Sequence, residues 1–169
     1  MNTKKKYLFV DFDGTIRDTI PDPTEKNPND RRPPFEPEEV KIRVGMSEAL
    51  KKWRNKGWFI VGVSNQSGVE KEQVTADKVV EVAKHTMDLL DVHFPFYYAP
   101  HKRKGTPEQL SLRKPDIGMA KLAFQEWGEP NLEESLMVGD YKADEEFAKN
   151  LGIAYVDVND FVKEQEKNE

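Results

Sequence analysis

Five short apolar runs decide most of what this chain can fold into. Residues 7–10 read Tyr-Leu-Phe-Val and stop at Asp11; residues 58–63 read Trp-Phe-Ile-Val-Gly-Val and stop at Ser64-Asn65. Residues 134–138 run into Gly139-Asp140, residues 94–98 are interrupted by Pro95, and residues 153–156 form the fifth run. Runs this short, with little apolar/polar alternation, suit strands covered on both faces, the environment of a parallel sheet. Between them the period becomes helical. Met46, Ala49, Leu50 and Trp53 share a face over 46–56, with Ser47 in a capping position and Gly57 as the stop. Val79, Val80, Val82, Ala83, Met87 and Leu90 give a helical pattern over 75–91. The segment 115–127 opens on a proline, favoured in a first turn; 142–151 ends at Gly152; 159–167 is a charged terminal helix. The alternation predicts an α/β fold: a three-layer, Rossmann-like parallel sheet with helices on both faces. A length of 169 residues predicts one domain over 1–169.

One segment breaks the pattern. Residues 21–37 carry six prolines (Pro21, Pro23, Pro28, Pro33, Pro34, Pro37), which exclude a helix or an inner strand. It is expected to be a loop at the rim of the site. Neither the stretch from Asp13 to Ser64 nor that from Ser64 to Lys114 has room for a separate cap domain, so the site is expected to be open.

Composition narrows the chemistry. There are no cysteines and three histidines (His85, His93, His101), which excludes disulfides, thiolate metal sites and a cysteine nucleophile. The net charge of −5 argues against a general nucleic-acid binder. No apolar run approaches the ~20 residues of a membrane span, and Lys4-Lys5-Lys6 is followed by too short an apolar stretch for a signal peptide. A cytoplasmic monomer is expected.

In an open parallel sheet, ligands gather beyond the carboxyl ends of the strands. Asp11-Phe12-Asp13-Gly14-Thr15 follows the first run, Ser64-Asn65 the second, and Gly139-Asp140 the 134–138 run, with Asp144 four residues on; Arg113-Lys114-Pro115 precedes a helix. Clustered carboxylates repel one another and stay ionised only around a cation. All-oxygen ligands without histidine or cysteine point to a hard ion, most simply Mg²⁺. A cation beside Lys114 and Ser64 makes a pocket for an anion such as phosphate. One carboxylate can then attack phosphorus to give an aspartyl-phosphate, and a second, two residues on, can protonate the leaving oxygen and later activate water.

At these residues the sequence resembles the haloacid dehalogenase (HAD) superfamily of phosphatases. Asp11-Phe12-Asp13-Gly14-Thr15 is similar to its first motif DxDGT, Ser64 to the hydroxyl residue of the second, Lys114 to the lysine of the third, and Gly139-Asp140 with Asp144 to the acidic fourth. The resemblance implies Asp11 as nucleophile and Mg²⁺ ligand, and Asp13 as general acid/base with its backbone carbonyl on the metal. It implies Asp140 as the further metal ligand and Asp144 as a support reaching the metal through water. Ser64, Asn65 and Lys114 would grip the phosphoryl group, and the first strand would lie mid-sheet. Taken alone, Ser64-Asn65 equally suits a cap, and Asp144 equally suits the first turn of a helix.

A finer resemblance joins Ser64-Asn65-Gln66-Ser67-Gly68-Val69 and Arg113-Lys114-Pro115 to the heptose bisphosphate and histidinol-phosphate phosphatases. That group carries a zinc loop; here its cysteine positions read Ala99, Leu110 and Leu112, and only His101 remains. One histidine cannot hold zinc in a four-ligand site, so none is expected. Arg113 is the residue best suited to grip a further anionic group of the substrate, because a guanidinium binds phosphate or carboxylate bidentately. The expected substrate is a small sugar or metabolite phosphate of the heptose bisphosphate or histidinol phosphate type. A polynucleotide 3′-phosphate end and a non-catalytic phosphate-binding module are the alternatives.

Overall fold

The computed structural model describes residues 3–22 and 29–167. In chain order the elements are β1 (Tyr7–Val10), β2 (Ile20–Pro21), β3 (Arg31–Arg32), a 3-10 turn (Pro37–Glu39), α1 (Met46–Asn55), β4 (Phe59–Asn65), α2 (Ala76–Leu90), β5 (Phe96–Ala99), α3 (Pro107–Leu112), α4 (Gly118–Trp127), β6 (Leu136–Gly139), α5 (Lys142–Leu151), β7 (Ala154–Asp157) and α6 (Val158–Lys167). The main sheet has the order β5-β4-β1-β6-β7 with every pairing parallel. β1 is therefore central, and all four of its residues are fully buried. That is why its run shows no polar alternation.

The two faces of β1 feed two cores. Tyr7 and Phe9 pack with Met119, Ala120 and Ala123 of α4 and Phe147, Ala148 and Leu151 of α5. Leu8 and Val10 pack with Met46, Ala49 and Leu50 of α1, Ala83 and Leu90 of α2, and Val158 and Phe161 of α6. Burial of each large apolar side chain stabilises the fold by about 1.5–3 kcal/mol. Aromatic edges tie the first layer together: the Tyr7 ring meets Phe124 at 5.0 Å and Phe9 meets Phe147 at 5.8 Å.

Several expectations are corrected. Ser47 does not cap α1. Gly45 occupies the N-cap with a left-handed backbone, and the Ser47 hydroxyl donates instead to the Leu90 carbonyl at the end of α2, 2.5 Å away. The helix expected from Pro115 begins at Gly118. Asn65 holds the Lys114 backbone from both sides, its Oδ1 accepting from Lys114 N (3.0 Å) and its Nδ2 donating to Lys114 O (3.1 Å), so the 114–117 stretch remains a turn. Helix α3 was not foreseen; Thr106 and Gln109 form a capping box at its start.

Of the Pro-rich segment, Pro23 and Pro28 lie outside the described residues. The remainder is an antiparallel ribbon, β2 with β3, followed by the turn. Arg32 pairs with Glu39 at 2.5 Å and lies over the Phe35 ring at 4.5 Å. Among the described residues, the stretch from Asp13 to Ser64 holds the ribbon, the turn, α1 and most of β4. From Ser64 to Lys114 come α2, β5 and α3.

Candidate active site

Because β1, β4 and β6 are parallel neighbours, the residues at their carboxyl ends share one rim. The loop after β1 is tight: the N–H groups of Thr15, Ile16 and Arg17 all donate to the Phe12 carbonyl at 3.2, 2.9 and 3.1 Å. Gly14 makes this possible with φ of +83°, and a side chain there would run into the Asp140 carboxylate. Arg43 braces the loop from behind, donating to the carbonyls of Gly14 (2.6 Å) and Thr15 (2.9 Å).

The loop opens onto a cleft of about 900 Å³ lined by Asp11, Asp13, Asn65, Lys114, Asp140 and Asp144, among others. At its floor the Lys114 ammonium, 3% exposed, donates to Asp11 Oδ1 at 2.9 Å and to Asp144 Oδ1 at 2.6 Å. Carboxylate oxygens of Asp11, Asp140 and Asp144 all lie within 4.8 Å of one another. The Thr15 hydroxyl stands 3.3 Å from Asp11 Oδ2 and 3.0 Å from Asp140 Oδ1, and its single proton serves one of them at a time. The second oxygen of Asp144 accepts from the N–H groups of Asp140 (3.3 Å) and Tyr141 (3.2 Å) at the head of α5.

The electrostatics are those of a site short of positive charge. Burial pushes the Asp11 carboxyl well above the usual carboxylate range; Lys114 draws it back, while Asp144 and Asp13 push it further up. Partial burial raises Asp140 too, against its hydrogen bond with Thr15. Burial alone would lower the Lys114 ammonium, but Asp11 and Asp144 outweigh it and hold the ammonium above the ordinary lysine value.

The other residues singled out from sequence stand close by. Asp13 lines the cleft, but its carboxylate is not in the three-carboxylate group. Arg17 Nε donates to its Oδ1 at 2.8 Å and Gln66 Nε2 to its Oδ2 at 2.7 Å. Ser64 is 1% exposed, and its hydroxyl accepts from the same Gln66 amide at 2.8 Å. The Asn65 side chain is spent on the Lys114 backbone. Arg113 lines the cleft with Arg103, and its Nη1 donates to the His101 carbonyl at 3.0 Å. Burial lowers its guanidinium, and Arg103 adds to the effect. Arg17 and Gln66 are not among the site residues read from the sequence. Arg17 meets Asp13 locally, four residues on in the loop after β1, whereas Gln66, in the polar stretch directly after β4, reaches it across 53 positions.

Comparison with known proteins follows the same residues. The model of the polynucleotide kinase 3 phosphatase family matches residues 6–162. The chain belongs to this family. A D-glycero-beta-D-manno-heptose-1,7-bisphosphate 7-phosphatase of Pasteurella multocida is 30% identical over 148 residues, 80% of this chain and 71% of that one. A Thermoplasma volcanium protein described as "Probable D-glycero-D-manno-heptose-1,7-bisphosphate 7-phosphatase" is 28% identical over 155 residues, 89% of this chain and 96% of that one. Among solved structures, the D,D-heptose 1,7-bisphosphate phosphatase of B. bronchiseptica complexed with magnesium and phosphate superposes with a TM-score of 0.70. Its identity is 21%, over 89% of this chain and 78% of that one. The HAD-like, Rossmann-type fold expected from sequence is thus the fold of this phosphatase family.

Proposed function

We propose that this protein is a magnesium-dependent phosphomonoester hydrolase working through an aspartyl-phosphate, on a small sugar or metabolite phosphate of the heptose bisphosphate or histidinol phosphate type. The observation that carries the reading is the buried Lys114 ammonium bridging Asp11 and Asp144, with Asp140 completing the carboxylate group at the strand ends.

The donor set fits a magnesium ion: three carboxylates converge, all donors are oxygen, and one lysine leaves their charge uncompensated. Asp11 and Asp140 would hold the ion together with the Asp13 backbone carbonyl, and Asp144 would act through Lys114 and water. When bound, the ion supplies charge neutralisation for the phosphoryl oxygens.

The chain's own residues do the rest. An Asp11 oxygen attacks phosphorus, forming the O–P bond as the ester P–O bond breaks. The Asp13 carboxyl gives its proton to the departing alkoxide, so an alcohol leaves. Asp13, now a carboxylate, then takes a proton from water, whose oxygen attacks the aspartyl-phosphate; Asp11 is regenerated as inorganic phosphate leaves. Lys114, Ser64 and Asn65 grip the phosphoryl oxygens: Ser64 through its hydroxyl, which accepts from Gln66 and keeps its own proton to donate, and Asn65 through its backbone N–H, since both polar atoms of its side chain are held by the Lys114 backbone. Arg113, with Arg103 beside it, faces the part of the substrate outside the phosphoryl pocket. The unit acts as one domain over 1–169, as a cytoplasmic monomer without a cap domain, its cleft rimmed by Pro33 of the Pro-rich segment and by Arg103 and Leu110 of the 100–112 stretch.

The test is hydrolysis of p-nitrophenyl phosphate and of a panel of sugar and histidinol phosphates. Activity is expected to require added Mg²⁺, to vanish on chelation, and to vanish in Asp11→Asn while the melting profile stays cooperative. No turnover by the Mg²⁺-supplied protein on any of these would overturn the reading and leave a phosphate-binding module. The description of the matching family supports a second reading, a polynucleotide 3′-phosphate end. A single-stranded substrate predicts affinity falling with salt at a log–log slope of about −0.7 per phosphate contacted; a small metabolite predicts a much flatter dependence.

A further inference from the structure

Two buried side chains converge on Asp13 and have no part in the chemistry just described. Arg17 is 2% exposed, and an arginine is almost never buried without a specific partner. Its Nε donates to Asp13 Oδ1 at 2.8 Å, and its Nη1 donates to the Thr86 hydroxyl of α2 at 2.9 Å. Thr86 in turn donates to the Val82 carbonyl at 2.7 Å, and the guanidinium lies 5.2 Å from the Phe12 ring centre. Gln66, also 2% exposed, divides its amide between Asp13 Oδ2 at 2.7 Å and Ser64 Oγ at 2.8 Å. Each oxygen of Asp13 is therefore held by a donor that is itself anchored: one to α2, one to the end of β4. The plane of the carboxyl is set from two sides, while its edge still lines the cleft.

Stability alone is a weak reason for this arrangement. A buried ion pair often contributes no more than apolar residues of the same volume would. Orientation is a stronger one, since proton transfer in the transition state needs donor and acceptor in hydrogen-bond register. We propose that Arg17 and Gln66 are positioning residues that aim the Asp13 carboxyl at the leaving-group oxygen, and that Gln66 couples this aim to Ser64 at the phosphoryl pocket. The proposal rests on the phosphatase reading above and on Asp13 as its proton donor.

Leaving-group dependence tests it. p-Nitrophenolate departs as a stabilised anion and needs little proton transfer, whereas an alkyl phosphate such as glycerol 1-phosphate needs a proton on the departing oxygen. kcat/KM reports only the steps through P–O cleavage, so hydrolysis of the aspartyl-phosphate does not enter. In Gln66→Met the alkyl-to-aryl ratio of kcat/KM is expected to fall about 10- to 100-fold, the scale of a misplaced reacting group. Gln66→Asn, which keeps the amide but withdraws it by one methylene, is read in the same way and guards against a variant that does not fold. Arg17→Lys, which keeps the charge and loses the fork, is expected to give an intermediate ratio. A structural defect, or a loss of phosphate grip through Ser64, lowers both substrates together and leaves the ratio in place. A ratio unmoved in the folded variants overturns this inference while the phosphatase reading stands; an unaltered protein inactive on both substrates overturns the phosphatase reading itself.

Discussion

Asp144→Asn is the substitution whose consequences can be worked furthest. The side chain is 1% exposed, and both of its oxygens only accept: Oδ1 from Lys114 at 2.6 Å, Oδ2 from the N–H groups of Asp140 and Tyr141 at 3.3 and 3.2 Å. Asparagine has the same shape but offers one oxygen and one NH₂. Keeping the oxygen toward the ammonium turns the NH₂ against the two backbone N–H groups, which lose their acceptor at a cost of about 1–3 kcal/mol. The carboxylate also sits in the first turn of α5, where its charge contributes about 0.3–1 kcal/mol. Lys114 keeps Asp11, so the loss stays at or below the ~3–5 kcal/mol of a wholly broken buried pair. A total of about 3 kcal/mol lowers Tm by about 6–12 °C in a chain of this size. A loosened Lys114 also lowers turnover, by about 100-fold if the ammonium shifts by an ångström. Thermal melting and p-nitrophenyl phosphate turnover read the two effects, with Glu145→Gln in the same turn as the exposed control. A variant that melts within about 2 °C of the parent and keeps its turnover would refute the reasoning: Lys114 would then be held by Asp11 alone.

Gly14→Ala forces a left-handed residue to carry a Cβ and drives that Cβ into the Asp140 carboxylate. Beyond a strain of about 1–2 kcal/mol, it is expected to raise the Mg²⁺ concentration needed for half-maximal activity, as a Mg²⁺ titration of turnover would read. The pair at the end of the Pro-rich segment predicts an acid-linked loss of stability. The Arg32 hydrogen bond, with help from the N–H groups of Phe35 and Glu36, holds the Glu39 carboxyl below its ordinary value. Its contribution is therefore complete above the unfolded carboxyl value of about 4.3 and is lost as pH falls through the lower folded value. The Tm difference between Glu39→Gln and the parent is expected to be present at neutral pH and to close in acid; a difference that persists unchanged would refute it.

How much of this was legible in sequence depended on how local its cause is. β1 was readable to the residue because burial on both faces removes every polar position from it, and α5 because Gly152, at φ +82°, ends it with a left-handed residue. Asp11, Lys114 and Asp140 were readable because each stands at a strand end or a helix approach, where the sheet must deliver it to the same rim. What sequence hid depended on distant partners. Ser47 has the chemistry of a cap, yet its hydroxyl is taken by a carbonyl 43 positions away. Helix α3 carries its own capping box but is too short to show a period. Gln66 meets Asp13 across 53 positions and Arg17 meets Thr86 across 69, and neither contact leaves a local signal.

The same site explains how a chain of net charge −5 can serve an anionic substrate. Beyond a Debye length of about 8 Å the remote acids are screened, so the charges lining the cleft decide. Six carboxylates (Asp11, Asp13, Asp116, Asp140, Asp144, Glu146) face four cationic groups (Arg103, Arg113, Lys114, Lys142). Lys114 is already shared between two of those carboxylates, and Lys142 lies 3.8 Å from Glu146. With Arg17 on Asp13 the carboxylates still outnumber the cations, and around Lys114 three carboxylates share one ammonium. A divalent ion among Asp11, Asp140 and Asp144 would offset that excess and would leave Arg103 and Arg113 to favour anions at the rim. On this arrangement the divalent ion and the phosphate each strengthen the other's binding by the same factor, as linkage requires. For this the fold supplies the ends of β1 and β6, which carry Asp11 and Asp140, and the first turn of α5, which carries Asp144.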